Sequence, residues 1–354
     1  MEDFTYNLTL IEKTKKDIEN NPSNIENYFL LGKLYIIQND YNNALLVYEH
    51  ILDKNPNDIQ ALVNAGSINF YNQNFDRAIS YYKLAASIEP LNYSIHYNLA
   101  NAYAEIGNFK LALDFYKKAL ELSPENPAIY SAIGLLYQDN NDLVEANLYY
   151  DKAIEKDKLD PENYMNKASI MMKLCKYKDA VNNFKKAYEL NPEDYKACLC
   201  LANAYSSAGN FEEAHKYFNK VINMEPNYYQ AYVCLAISYS DENKIQKAID
   251  TYKKAIELAP DKPNAYILLA NILLAENRNE EALDYYNKAI QITPEDSDTY
   301  KLIGNAHAML DNLDLAIRSY RKAIQYDKDS NEIKLVYFEI IDEFINRKEA
   351  LYVK

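Results

Sequence analysis

Four cysteines are scattered through 354 residues, too few for a disulfide framework. Basic residues are in the minority, 38 Lys and Arg against 52 Asp and Glu, for a formal charge of −14. That balance lacks the clustered cations with which proteins hold nucleic acid or an anionic membrane surface. An acidic field favours neutral to basic partners, so the expected partner is another protein or peptide. Long apolar runs are missing too. The stretch Tyr266–Ala275 (YILLANILLA) is well short of the roughly 20 residues that span a bilayer, so membrane insertion is not expected. The first residues, MEDFTYNLTLIEKTKKD, have no basic start followed by an apolar core. A cytoplasmic location is the expectation.

Glycine is equally scarce, and its six copies expose a period. In a 34-residue frame with Ile25 at position 1, Gly32, Gly66, Gly134 and Gly304 fall at position 8, and Gly107 and Gly209 at position 15. No glycine is left over for a phosphate loop or a dinucleotide fingerprint. The prolines obey the same frame. Pro56, Pro90, Pro124, Pro192, Pro226, Pro260 and Pro294 sit at position 32, with Pro22 one step upstream, and Pro127, Pro161 and Pro263 at position 1. Proline ends a helix or opens one, so a helix breaks at each junction. Pairs such as Asn39-Asp40, Gly107-Asn108 and Gly209-Asn210 mark a second break at positions 15 and 16. Each period therefore holds two helices of about a dozen residues.

Small and large residues alternate in register. Position 8 is Gly or Ala in every copy, and position 20 is Ala in all nine, from Ala44 to Ala316. Position 27 is Ala in seven copies, with Ile51 and Val221 in the others. Position 24 is Tyr or Phe throughout, and position 11 is mostly Tyr. Small side chains let helices approach closely while aromatic ones fill the neighbouring space.

These residues resemble the tetratricopeptide repeat signature. Tyr28, Leu31, Gly32, Tyr35, Ala44, Tyr48 and Pro56 carry it in the first copy, and Tyr266, Leu269, Ala270, Ala282, Tyr286, Ala289 and Pro294 in the eighth. The departures are Lys158 and Lys328 at the junction proline, Lys167 at an apolar position and Asn69 at an aromatic one. The expected organisation is an N-terminal half-repeat over 1–24, nine repeats over 25–330 (25–58, 59–92, 93–126, 127–160, 161–194, 195–228, 229–262, 263–296 and 297–330) and a closing helix over 331–354. The resemblance implies an all-α, right-handed superhelical solenoid of antiparallel helix pairs, with terminal caps over its apolar ends. Ile333, Tyr337, Ile340, Ile341 and Phe344 recur at helical spacing. They are expected to cover the last repeat, and dimerisation through this helix is a second use of the same row. Acid–base pairs at i, i+4 (Asp114–Lys118, Asp250–Lys254, Asp284–Lys288) read as a solvated face.

Candidate chemistry is thin. The four histidines, His50, His96, His215 and His307, fall at unrelated positions with no recurring nucleophile or acid. Cys198 and Cys200 are i, i+2 on one helix and face apart. Cys200 and Cys234 share position 6 in adjacent copies, on helices packed about 8–10 Å apart, too far for a disulfide. No enzyme activity, cofactor or metal site is expected.

What remains is surface. The resemblance implies that the first helix of each repeat lines a concave groove through positions 2, 5, 6, 9, 12 and 13. Asn64, Asn98 and Asn166 stand at position 6, and Asn101, Asn203, Asn271 and Asn305 at position 9. Tyr97 and Phe70 flank them at positions 5 and 12. An amide offers both donor and acceptor to an extended backbone whatever the side chains, in a manner similar to the asparagine ladder of the O-GlcNAc transferase repeat domain. Asn98 and Asn101 are expected to be solvated in the free protein. Lys301 and Asn305 match the start of the clamp with which some family members hold acidic chaperone tails, but Val336 stands where the next amide belongs. The leading reading is a non-catalytic adaptor that binds an extended peptide. The alternatives are a targeting or regulatory module of a multi-enzyme or glycosyltransferase system, and a self-assembling structural protein.

Overall fold

The computed structural model describes the backbone of residues 2–352 and the side chains of residues 7–347. Among these residues there are twenty helices and no strand. They form two units, 1–174 and 175–354. In the first unit, α1 (Glu2–Asn20) is followed by α2 (Ile25–Ile37), α3 (Tyr41–Lys54), α4 (Ile59–Tyr71), α5 (Phe75–Ile88) and α6 (Tyr93–Glu105). Then come α7 (Phe109–Leu122), α8 (Pro127–Asp139), α9 (Leu143–Lys156) and α10 (Pro161–Lys173). The second unit opens with α11 (Tyr177–Leu190), α12 (Tyr195–Ser207), α13 (Phe211–Met224), α14 (Tyr229–Asp241) and α15 (Ile245–Leu258). It closes with α16 (Pro263–Ala275), α17 (Asn279–Ile292), α18 (Ser297–Met309), α19 (Leu313–Tyr326) and α20 (Asn331–Tyr352). Within each unit every helix packs against the next, and α4, α6, α8 and α10 also touch in series along one side.

Local chemistry explains the breaks. Asn24, Asp58, Asn92, Asn126, Asp160 and Asp194 cap the helices that follow them, each side chain accepting a backbone N–H of the first turn. Such a cap contributes about 0.5–2 kcal/mol. Between the two helices of each pair, position 15 always takes a left-handed backbone, with φ from 57° at Cys175 to 75° at Gly209. The N–H of the next residue then returns to the carbonyl of position 11, as in Asp40 to Tyr35 at 2.8 Å and Asn108 to Tyr103 at 2.9 Å. That is a Schellman closure, which turns the chain into the second helix.

The close contact is where the small residues stand. Alanine at position 20 is fully buried in all nine pairs, and the aromatic at position 24 lies over position 8. A Cβ on Gly66 would come within 2.6 Å of the Tyr82 ring. A second aromatic layer runs between positions 11 and 23, with Tyr103 on Phe115 at 5.6 Å and Tyr205 on Tyr217 at 5.5 Å between ring centroids.

Several local expectations are corrected. The i, i+4 acid–base pairs do not form. Asp250 accepts from Gln246 at 3.0 Å instead, while Lys118 and Lys288 lie over the rings of Phe115 and Tyr285 at 5.0 and 4.9 Å. A nearby aromatic face competes well with an exposed carboxylate for a lysine. Lys167 is answered by Asp151 on α9 at 2.5 Å. Asn69 is fully buried, its amide nitrogen bonded to the Ala65 carbonyl at 2.8 Å. Among the described side chains of α20 only Ile333 is buried, and it joins a cluster with Tyr300, Ile303 and Ala323. Tyr337, Ile340, Ile341 and Phe344 are half-buried, because α20 packs mainly on α19. No described helix is long and apolar enough to cross a membrane.

Candidate functional site

A concavity of about 630 Å³ lies in the first unit, along α4, α6, α8 and α10. Ligand pockets commonly enclose about 300–1,000 Å³. Tyr97, Asn101, Ala104 and Glu105 enter it from α6, Ala128, Ser131, Ala132, Leu135 and Asp139 from α8, and Asp160, Glu162 and Asn166 from α10 and its cap. Phe70 closes one end. Most of these residues occupy the groove positions of the frame, because helical spacing sends 2, 5, 6, 9, 12 and 13 to one stripe.

The cavity brings together Phe70, Tyr97, Asn101 and Asn166 of the residues singled out in the sequence. Asn64 and Asn98 are half-buried on α4 and α6 but do not line it. Asn203, Asn271 and Asn305 belong to the second unit, where Asn203 and Asn305 are half-buried and Asn271 is exposed.

Asn101 is engaged within its own repeat, contrary to the expectation of a solvated side chain. The Tyr116 hydroxyl donates to its Oδ1 at 2.5 Å. The same pairing recurs as Tyr286 to Asn271 and Tyr320 to Asn305, each at 2.6 Å, and Tyr82 bonds the Ser67 hydroxyl at 3.1 Å. A phenol between two packed helices has to donate somewhere, and position 9 is the nearest polar side chain. With Oδ1 so held, the Asn101 amide NH2 is the part left to face the cavity. Burial pushes the Tyr116 and Tyr150 hydroxyls well above the ordinary range, and nearby Asp139 pushes both in the same direction. On the cavity lining, Ser131 donates to Asn163, whose nitrogen donates to Asp160 at 2.8 Å, so that α8 and α10 are tied together.

Sequence reasoning passed over the carboxylates. Glu105, Asp139 and Glu162 stand exposed on the cavity lining, and Asp160 joins them half-buried. Lys, Arg and His are absent from the lining. The signal was present at positions 2 and 13, which the frame already sends into the groove.

Models of the tetratricopeptide repeat match residues 29–90, 93–126, 171–233, 234–297 and 297–330. The chain belongs to the tetratricopeptide repeat family. Among solved structures, a tetratricopeptide repeat protein from Parabacteroides merdae aligns with a TM-score of 0.54 at 23% identity, over 73% of this chain and 98% of its own. That likeness is one of fold. YrrB, a TPR protein with an unusual peptide-binding site, aligns at 25% identity and a TM-score of 0.46, over 52% of this chain and 95% of its own. MamA aligns at 24% identity and a TM-score of 0.43, over 46% and 95%. Curated proteins yield no match. Tetratricopeptide repeat proteins act as protein-interaction scaffolds and are generally non-catalytic.

Other reactive side chains are engaged with their neighbours in this repeat protein. His96 bonds the Pro90 carbonyl at 2.7 Å and stacks on Phe115. His215 lies against Tyr239, with ring centroids 4.2 Å apart. The four cysteines are free thiols, and burial pushes Cys198 and Cys200 up to about 11, far from a reactive thiolate. Lys301 is occupied by Glu332 at 3.1 Å, and Asn305 by Tyr320, so neither waits for an acidic tail.

Proposed function

We propose that this tetratricopeptide repeat chain is a non-catalytic adaptor that holds an extended segment of another protein along the groove of its first helices. The observation that carries this reading is the composition of the 630 Å³ cavity: half-buried aromatic faces, amides and open space drawn from four consecutive repeats. An extended chain advances about 3.3 Å per residue and packed helices stand about 8–10 Å apart, so one repeat meets roughly every third residue. An amide at that interval satisfies a backbone group that would otherwise cost about 1–3 kcal/mol to desolvate. Phe70 and Tyr97 supply apolar area beside it.

The test is a photo-crosslinker placed at Leu135, exposed on the cavity, and separately at Leu148, exposed on α9. Adducts with a partner segment from Leu135 and none from Leu148 support the groove. Adducts from Leu148 alone, or equal yields from both, overturn it.

A further inference from the structure

We propose that the α6–α8–α10 cavity takes a Lys or Arg side chain of the bound segment, its stem against Tyr97 and Phe70 and its charge among Glu105, Asp139 and Glu162. This rests on the groove reading and adds the chemistry of the occupant. Three independent features of the cavity point the same way.

The first is uncompensated charge. Two carboxylates near the cavity's repeats do stand beside lysines, Glu125 with Lys156 at 2.8 Å and Asp151 with Lys167 at 2.5 Å. Among the described residues no cation pairs with Glu105, Asp139, Asp160 or Glu162, and none shares the lining. Like charges gathered in a cleft with low-dielectric walls focus their field and concentrate the opposite charge there. The field reaches the cavity wall: Glu105 and Asp139 add to burial in raising the Tyr116 hydroxyl.

The second is shape and wall chemistry. Tyr97 and Phe70 are half-buried on the lining. An aromatic face beside open space suits the aliphatic stem and the charged head of a long basic side chain together. A glutamate or aspartate of the segment would meet repulsion, and a short neutral side chain would leave the carboxylates unanswered.

The third excludes a bare metal ion. Asp160 is committed through both oxygens, to the Glu162 N–H at 2.9 Å and the Asn163 amide at 2.8 Å. Among the described residues no three His, Cys, Asp or Glu side chains are grouped closely enough to hold a metal. Carboxylates spread over three helices match an extended organic cation. The Asn101 NH2, with its oxygen held by Tyr116, is then placed to donate to a carbonyl of the same segment and fix its register.

The experiment is selection of a displayed library of random twelve-residue peptides against the full chain and against the E105Q/D139N variant. Both substituted residues are exposed, so the fold should tolerate the change, and E162Q serves as a second variant if the first does not fold. Lys or Arg should be enriched at one fixed position by the wild type and lose that enrichment with the variant. In the selected peptide, replacing that residue by Gln should weaken binding about tenfold for the wild type and little for the variant. Peptides enriched without a charge preference overturn this inference and leave the groove reading standing. No enrichment of any peptide overturns both.

Discussion

Tyr116 and Asn101 lie fifteen residues apart and meet at 2.5 Å, hydroxyl to amide oxygen, across the two helices of one repeat. Tyr48 occupies the same place in the first repeat, opposite Lys33, and its buried hydroxyl has no partner. One substitution should therefore have opposite signs at the two sites. Tyr116→Phe is expected to lower stability by about 0.5–1.5 kcal/mol, and a double-mutant cycle with Asn101→Ala should return a coupling of about 1 kcal/mol. Tyr48→Phe removes an unanswered hydroxyl and should be neutral or stabilising. Urea midpoints decide the matter, and equal losses at both sites would remove the pairing from the energetics.

The turn residue at position 15 offers a second contrast. Gln73 and Cys175 hold φ of 61° and 57°, where other copies use Gly, Asn or Asp. A left-handed conformation costs a side-chain-bearing residue roughly 1–2 kcal/mol. Gln73→Gly and Cys175→Gly should each stabilise by about 0.5–1 kcal/mol after the extra freedom of unfolded glycine is counted. Gly107→Ala should do the reverse, although a Cβ there would meet nothing within 4 Å. Thermal unfolding of the three variants checks the signs.

The frame is legible in the sequence because nine copies repeat it. One alanine is ambiguous, but nine alanines at position 20 are not. The caps went unread, although Asn or Asp precedes seven of the nine first helices. Two features of the site escaped for physical reasons. The Tyr116–Asn101 bond joins positions 9 and 24, which a stripe-by-stripe reading of each helix treats separately. Glu105, Asp139 and Glu162 come from three different repeats, and only stacking brings them to one cavity.

Close packing at position 20 predicts the cost of added bulk. Ala112 and Ala248 are fully buried between the helices of their pairs, whereas Ala104 lines the cavity. Ala112→Leu and Ala248→Leu should cost about 1–3 kcal/mol through overpacking. Ala104→Leu should cost much less, because its side chain grows into open space. Equal midpoints for the three would mean that the helix faces are assigned wrongly.

His307 gives the protein a pH dependence with a definite sign. It stands where other repeats place an aromatic ring, and burial lowers its pKa from 6.5. Its Nδ1 is enclosed without a partner. The unfolded ring therefore binds its proton at higher pH than the folded ring, and acidification through 6.5 favours unfolding. His307→Phe removes that liability. The stability difference between the two proteins should widen as pH falls from about 7.5 to about 5.5. A difference that stays constant would show that His307 titrates alike in both states.

The last helix separates two roles along one row of residues. Ile333 is 2% exposed and packs into the core of the final repeat, while Phe338, five residues on, is 59% exposed. At the glycines of position 8 a second-helix aromatic of the same repeat lies on the backbone; among the described residues no helix follows α20 to place one on Phe338. Ile333→Ala should cost about 2–5 kcal/mol, the loss of a buried aliphatic side chain and the cavity it leaves. Phe338→Ser should cost little in stability, since the ring is mostly in water already. Its effect belongs instead to association, because exposed apolar surface favours contact with other molecules. The two variants are compared by urea unfolding and by sedimentation over a range of concentrations. A large stability loss with Phe338→Ser, or none with Ile333→Ala, would reverse the assignment of the two faces of α20.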